Sequence, residues 1–176
     1  MHLDIYPPTM RLSGLPSGLT GAKLTLDVMR AYVHQYKADP AVRTAALELV
    51  RSLAQKDHLG EVVALHAFVR DHIRYVRDTR GVETVQTPPA TLEIGQGDCD
   101  DKSTLLAALL ESISFPTRFL AVGFAPKSLS HVLVETRVDN RWIALESTEP
   151  VPPGWGVPVW TAKVIGDSNT CPQKPP

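Results

Sequence analysis

Three residue types that together perform thiol chemistry stand in order along this chain. Cys99 sits in Gly97-Asp98-Cys99-Asp100-Asp101-Lys102-Ser103, just ahead of an apolar stretch from Leu105 to Leu110. His131 opens the alternating run Val132-Leu133-Val134-Glu135, and Glu146 follows Arg141-Trp142-Ile143-Ala144-Leu145. A cysteine becomes a strong nucleophile when an imidazole takes its proton, and the imidazole performs best when a carboxylate holds its other ring nitrogen. Cys99, His131 and Glu146 are therefore the candidate nucleophile, base and orienting acid.

Each must be carried by a suitable element. Asp98 is a good helix N-cap and Asp101, three residues on, a first-turn acid, so a helix is expected from Cys99 to about Ser112. Cys99 then lies in the first turn, where unpaired N–H groups and the positive end of the helix dipole favour a thiolate. Asp98, Asp100 and Asp101 oppose this by like-charge repulsion. The Cys99 N–H, with one donor from the preceding loop, could form an oxyanion hole, and Gln86 is the candidate side-chain donor. Strands are expected at Thr117–Phe124, His131–Val138 and Arg141–Ser147, the last two joined by a tight turn at Asp139-Asn140. That turn lies near the midpoint between His131 and Glu146 and makes them rough cross-strand neighbours. Trp142 is expected to pack the sheet against the helix bearing Cys99.

Upstream, Leu24, Val28, Tyr32 and Tyr36 recur at helical spacing over residues 24–37. Asp39-Pro40 reads as a stop followed by a capped start. Val42, Ala45, Ala46, Leu49, Val50 and Leu53 form one face of a second helix. A third is expected from about Glu61 to Tyr75, striped by Val62, Leu65, Val69, Ile73 and Val76. Residues 77–93 read as a long connection, of a length that is often functional. The chain thus divides into an irregular arm at 1–20, a cysteine-enzyme domain at 21–150 and a Pro/Trp-rich tail at 151–176. Helices come first and an antiparallel sheet second, which is an α+β order. Trp155 and Trp160 in the tail are read as core cover, with a contact surface as the alternative.

Composition narrows the function classes. The chain has 176 residues, 43% hydrophobic and 21% charged, with a formal net charge of −1. That suffices for one domain with extensions and encodes no pull toward nucleic acid or anionic lipid. No basic patch interleaves with aromatics, no Cys-x-x-Cys suggests zinc, no spaced acidic loop resembles an EF-hand and no Gly-rich phosphate loop is present. His66 and His72 are six residues apart, a poor spacing for shared metal ligation, and His34 and His58 read as surface residues. No cofactor and no metal are expected. The first residues lack a signal-peptide pattern and no apolar run reaches the length of a membrane span, so the expectation is a soluble, cytoplasmic product or one exported by a route other than a cleaved signal. Cys171 lies in the tail. A disulfide to Cys99 would consume the nucleophile, and a reducing compartment argues for free thiols.

These motifs resemble the transglutaminase-like (papain-fold) superfamily. Its pattern is a Gly-x-Cys at a helix start, a His leading an alternating strand that ends in Glu, and a Trp-x-x-x-Asp-x-Thr element. Here these are Gly97-Asp98-Cys99, His131-Val132-Leu133-Val134-Glu135 and Trp142-Ile143-Ala144-Leu145-Glu146-Ser147-Thr148. The match runs from about Glu61 to Pro150. Arg80-Gly81-Val82-Glu83 and Thr87-Pro88 are similar to the short bacterial and phage-encoded group. In one departure Glu146 stands where the family usually has Asp, one methylene longer, so the hairpin, His131 or the rotamer must adjust. The resemblance implies a papain-like, transglutaminase-like core, with N-terminal helices packed on an antiparallel sheet and the nucleophile at the start of the central helix. It implies acyl transfer from a protein or peptide, by hydrolysis or transamidation, with peptidoglycan peptide a conceivable substrate for a phage protein. The competing expectation is a catalytically silent structural module of a phage tail or assembly complex, with other virion proteins as partners and a virion location.

Overall fold

The computed structural model describes residues 9–14, 18–79, 82–125, 129–156 and 161–165, with the side chains of Leu19 and of 161–165 excluded. Cys171 and Trp160 lie outside the described residues. The elements are β1 (Thr9–Leu12), α1 (Leu19–Tyr36), α2 (Pro40–Val50), α3 (His58–His72), β2 (Arg74–Tyr75), β3 (Glu83–Gln86), α4 (Pro88–Ile94), β4 (Gln96–Gly97), α5 (Cys99–Ser112), β5 (Thr117–Gly123), β6 (His131–Val138), β7 (Arg141–Leu145) and β8 (Thr161–Ile165).

The core is organised around α5. Leu105, Leu106, Ala107, Ala108, Leu109 and Leu110 are each 0% exposed. A helix covered on every side must be central. Helices α1 to α4 and strands β5 and β6 all pack against it. The principal sheet is antiparallel in the order β7-β6-β5-β8. This is the expected mixed helix-and-sheet core with the cysteine at the head of the central helix.

Local chemistry explains most boundaries. Asp39 caps α2 by accepting from the N–H groups of Ala41 and Val42, and Pro40 takes the first helical position. Asp139 and Asn140 both adopt positive φ, 47° and 62°, as the tight turn between β6 and β7 requires. Helix α3 starts earlier than its stripe indicates, because Asp57 caps it by accepting from the Gly60 N–H and draws Gly60 into the first turn. It also ends earlier, since Arg74–Tyr75 leaves to pair in parallel with Gln96–Gly97. The buried face of α1 is Leu26, Met29, Tyr32 and Val33, while Leu24, expected on that face, is 43% exposed.

Three segments read as irregular or unassigned hold structure. The connection at 77–93 contains β3 and all but the last residue of α4. Within the arm at 1–20, Thr9–Leu12 pairs antiparallel with Glu83–Gln86, and within the tail at 151–176, Thr161–Ile165 pairs with β5. All these short strands pair with partners remote in sequence, a pattern with no local signature. Trp142 does not reach the α5 face. It lies beside Ile143, whose neighbours are in the core, and so points to the opposite side, where the Arg118 guanidinium stacks 4.1 Å from its ring centre. Arg118 also bonds its cross-strand neighbour Glu135 at 2.7 Å. Among the described residues no helix is long and apolar enough to cross a membrane.

Candidate active site

The segment that delivers Cys99 is held from both sides. Gly95 closes α4 with a left-handed φ of 69°, Gln96–Gly97 pairs with β2, and Asp98 then caps α5. The cap is reciprocal. Asp98 Oδ1 accepts from the N–H groups of Asp100 and Asp101, at 3.0 and 3.3 Å, while Asp101 Oδ2 accepts from the Asp98 N–H at 3.2 Å. The cap leaves the Cys99 N–H unused among the described hydrogen bonds, at the positive end of the helix. A Cβ at Gly97 would stand 2.5 Å from the Asp101 Cβ, so this close approach requires glycine.

Strand β6 packs against the same helix end, and Ser103 Oγ donates to the Val132 carbonyl at 3.2 Å. His131, at the head of β6, bonds Glu146 Oε2 through Nε2 at 2.6 Å. The strand register pairs Val134 with Leu145, so Glu146 falls opposite residue 133 rather than opposite His131. The pair is diagonal, and the longer side chain of Glu spans that diagonal. Glu146 is 2% exposed. Its other oxygen, Oε1, accepts from the Thr148 N–H and hydroxyl, each at 2.7 Å. Burial pushes the Glu146 carboxyl upward, but the bond and charge of His131 and the two Thr148 bonds outweigh it and hold the group below its ordinary range.

The electrostatics at the thiol run the other way. Burial is the largest influence raising Cys99, followed by the charges of Asp100 and Asp98, and only the Val132 N–H opposes them. The dipole advantage expected from the helix start is overridden, and the resting group is a thiol. The acids share the strain. Burial and Asp101 raise Asp98 to about 7, and burial raises Asp101 to about 6 against its bonds from Gln86 and Asp98. Asp100 is raised well above its usual range by burial, by Asp98 and by a hydrogen bond with Glu83.

Cys99 and His131 line two adjoining clefts. One, of about 1020 Å³, runs beneath β1 and the start of α1 and includes Arg11, Asp78, Glu83 and Asp100. The other, of about 620 Å³, includes Phe124, Glu146, Thr148 and Trp155. Tyr75, Arg77 and Ser130 border both. Trp155, read as core cover, is instead 37% exposed on a cleft wall. Gln86 lines neither cleft. Its amide Nε2 donates to Asp101 Oδ2 at 2.8 Å and to the Gln96 carbonyl at 3.3 Å, and its N–H donates to Asp101 Oδ1 at 2.7 Å. Its donors therefore brace the capping acid.

Sequence reasoning missed His66. It is fully buried on α3, and its Nε2 bonds the Glu146 carbonyl at 2.6 Å, fixing the main chain that carries the acid. Burial lowers its proton affinity, so it is neutral and Nε2 is the donor. Only its apolar company on the helix stripe could have marked it as buried. Lys102, also buried, donates to the carbonyls of Arg70 and Ile73 at 3.2 and 2.6 Å and so caps the end of α3. As for a metal, one trio among the described residues, Asp98, Cys99 and Asp100, brings its ligand atoms within 4.8 Å of one another. One carboxylate oxygen of Asp98, Oδ1, is committed to the helix cap.

The family model of the transglutaminase-like superfamily matches residues 47–147, more than half of the chain, a stretch that includes Cys99, His131 and Glu146. The chain belongs to the transglutaminase-like superfamily. Among solved structures it is similar to a candidate protease from Parabacteroides distasonis, with a TM-score of 0.60 and 15% identity over 81% of this chain and 31% of that one. It is also similar to a candidate cysteine protease from Cytophaga hutchinsonii, with a TM-score of 0.52 and 15% identity over 80% of this chain and 52% of that one. The chain thus spans a third to a half of these two proteins, and at such identity the likeness is one of fold. No curated protein matches the chain.

Proposed function

We propose that the protein is a thiol acyl-transfer enzyme in which Cys99 is the nucleophile, His131 the proton carrier and Glu146 the acid that orients it. The observation that carries the reading is the partly buried 2.6 Å bond from His131 Nε2 to Glu146, on the cleft that His131 shares with Cys99. With Nε2–H given to Glu146, the imidazole has Nδ1 left as its basic nitrogen. Cys99 Sγ attacks an amide carbonyl as its proton passes to His131, and a negative oxygen develops on the former carbonyl. The Cys99 N–H is the donor suited to meet that oxygen. The C–N bond then breaks, the amine leaves with the proton from His131, and a thioester remains. Water resolves it in a peptidase or amidase, and a second amine resolves it in a transamidase. Because the resting thiol is neutral, proton transfer accompanies attack.

The test is intact-mass detection of an acyl adduct at Cys99 with reactive peptide esters, in a Cys171→Ser background, with the rate of Cys99 alkylation measured alongside. Both should fall about a hundredfold in His131→Ala. Equal rates with and without the imidazole would refute the reading. The elevated thiol favours one alternative, a silent papain-fold module within a larger assembly such as a phage tail. Co-assembly with virion proteins by a Cys99→Ala chain, in the absence of any adduct on the parent, would support it.

A further inference from the structure

Of the large apolar side chains that the described surface leaves exposed, three are aromatic: Tyr75 at 42%, Phe124 at 53% and Trp155 at 37%. All three line the one cleft of about 620 Å³ whose floor includes Cys99 and His131. They come from separate parts of the chain, β2, the segment just after β5 and the segment after β7. Their convergence is therefore a product of the fold and not of a local apolar run. Exposed aromatic surface costs free energy in water, and its collection in a concave site beside reacting groups is what ligand recognition uses. The Phe124 ring also lies nearly parallel to the His131 ring, at 28° with centres 6.3 Å apart. A ligand that covers Phe124 would therefore also screen the His131–Glu146 pair from water.

We propose that this cleft is a subsite for an apolar side chain, aromatic or branched aliphatic, of the peptide that Cys99 acylates from. The inference rests on the acyl-transfer reading for its occupant, because the cleft is continuous with the nucleophile and what fills it is the chain flanking the attacked amide. Phe124 and Trp155 form the apolar walls and set specificity. Arg77 and Glu149 at the rim provide polar contacts for the peptide main chain.

The experiment uses the full chain. Binding of short blocked peptides, alike except for one residue set as Phe, Leu, Ala or Glu, is measured by fluorescence anisotropy on Cys99→Ser protein. The Phe and Leu peptides should bind about tenfold more tightly than the Ala and Glu peptides, a difference of the size expected for burying one large apolar side chain. Phe124→Ala and Trp155→Ala should each erase most of that preference, with folding checked by unchanged thermal midpoints. Equal binding of all four peptides, no binding at millimolar concentration, or a preference that survives both substitutions would overturn the subsite. So would tighter binding of an amino-sugar oligomer, or self-association that Phe124→Ala abolishes. The same peptides are offered to unsubstituted protein and Cys99 adducts are weighed. Side-chain preference without an adduct defeats the acyl-transfer reading alone, and an adduct without preference defeats the subsite alone.

Discussion

Replacing Asp98 with Asn should make the protein more stable at pH 8 and its thiol more acidic at the same time. Asn retains the cap, because its amide oxygen can still accept from the Asp100 and Asp101 N–H groups that Asp98 Oδ1 serves. What it removes is a charge. The Asp98 carboxyl moves from 3.8 to about 7 on folding, so the native state binds a proton more tightly than the unfolded chain does. By linkage, the contribution of this one group to stability is greatest below pH 4, falls as pH rises, and levels off above 7. At about 1.4 kcal/mol per unit, the full penalty at pH 8 is on the order of 4 kcal/mol. Burial is the largest cause of that penalty and the repulsion from Asp101 comes second; the amide is still a buried polar group, so the substitution recovers only part of it, about 1–2 kcal/mol. Urea denaturation at pH 8 and pH 4 measures the difference, which should be present at the first and nearly absent at the second. Alkylation of Cys99 should show a lower pH midpoint in the variant, since Asp98 is among the charges that raise the thiol. A variant destabilised equally at both pH values would refute the reasoning. The Asp98 carboxyl would then act as a neutral cap, and the crowding of charge around Cys99 would carry no energy.

Glu146→Gln should lower Cys99 acylation by about a hundredfold to ten-thousandfold while leaving the fold intact, because an amide placed at that oxygen cannot both hold Thr148 and accept from His131; circular dichroism and adduct rates check the two halves. In the parent, the stability owed to the depressed Glu146 carboxyl is present above its ordinary range near 4.5 and lost as pH falls below it, so the acid limb of a pH–stability curve should flatten in this variant. Gly97→Ala should cost about 1–3 kcal/mol in denaturant unfolding, through the forced contact with the Asp101 Cβ, and should slow Cys99 alkylation by displacing the capped turn. Lys102→Met should cost about 1–3 kcal/mol at neutral pH, since it leaves the carbonyls at the end of α3 without their buried donor. Hydrogen exchange should then accelerate first at Ile73 to Tyr75.

How much of this was legible in the sequence depended on whether the signal was local. The start of α5 was readable because a capping acid and a first-turn acid at the right spacing announce it, and the β6–β7 turn because Asp139-Asn140 accept positive φ. The first places Cys99 at a helix head and the second folds Glu146 back toward His131, so the elements that carry the candidate site were readable before the fold. The diagonal register was not, since it depends on which residues pair and not on how many separate them. The role of His66 was also hidden, because an isolated histidine on a helix has no pattern that identifies a distant carbonyl as its partner. Strands β1, β3 and β8 escaped for the same reason. The balance at Cys99 could be listed as opposing influences, but only the observed burial decides in favour of the thiol.

The pairing of β1 with β3 has a practical consequence. Thr9 lies opposite Gln86, so the pair closes a loop of about 75 residues, and closing a loop of that length costs about 4 kcal/mol in chain entropy before any contact repays it. Only four residues on each side supply that repayment, and Arg11 and Leu12 also form part of the larger cleft. This wall is therefore the part of the site most readily peeled away by whatever is fused ahead of it. An affinity tag or fusion partner placed just ahead of β1 stands next to the cleft wall. Preparations tagged there and tagged elsewhere should be compared before any loss of reactivity is blamed on the chemistry.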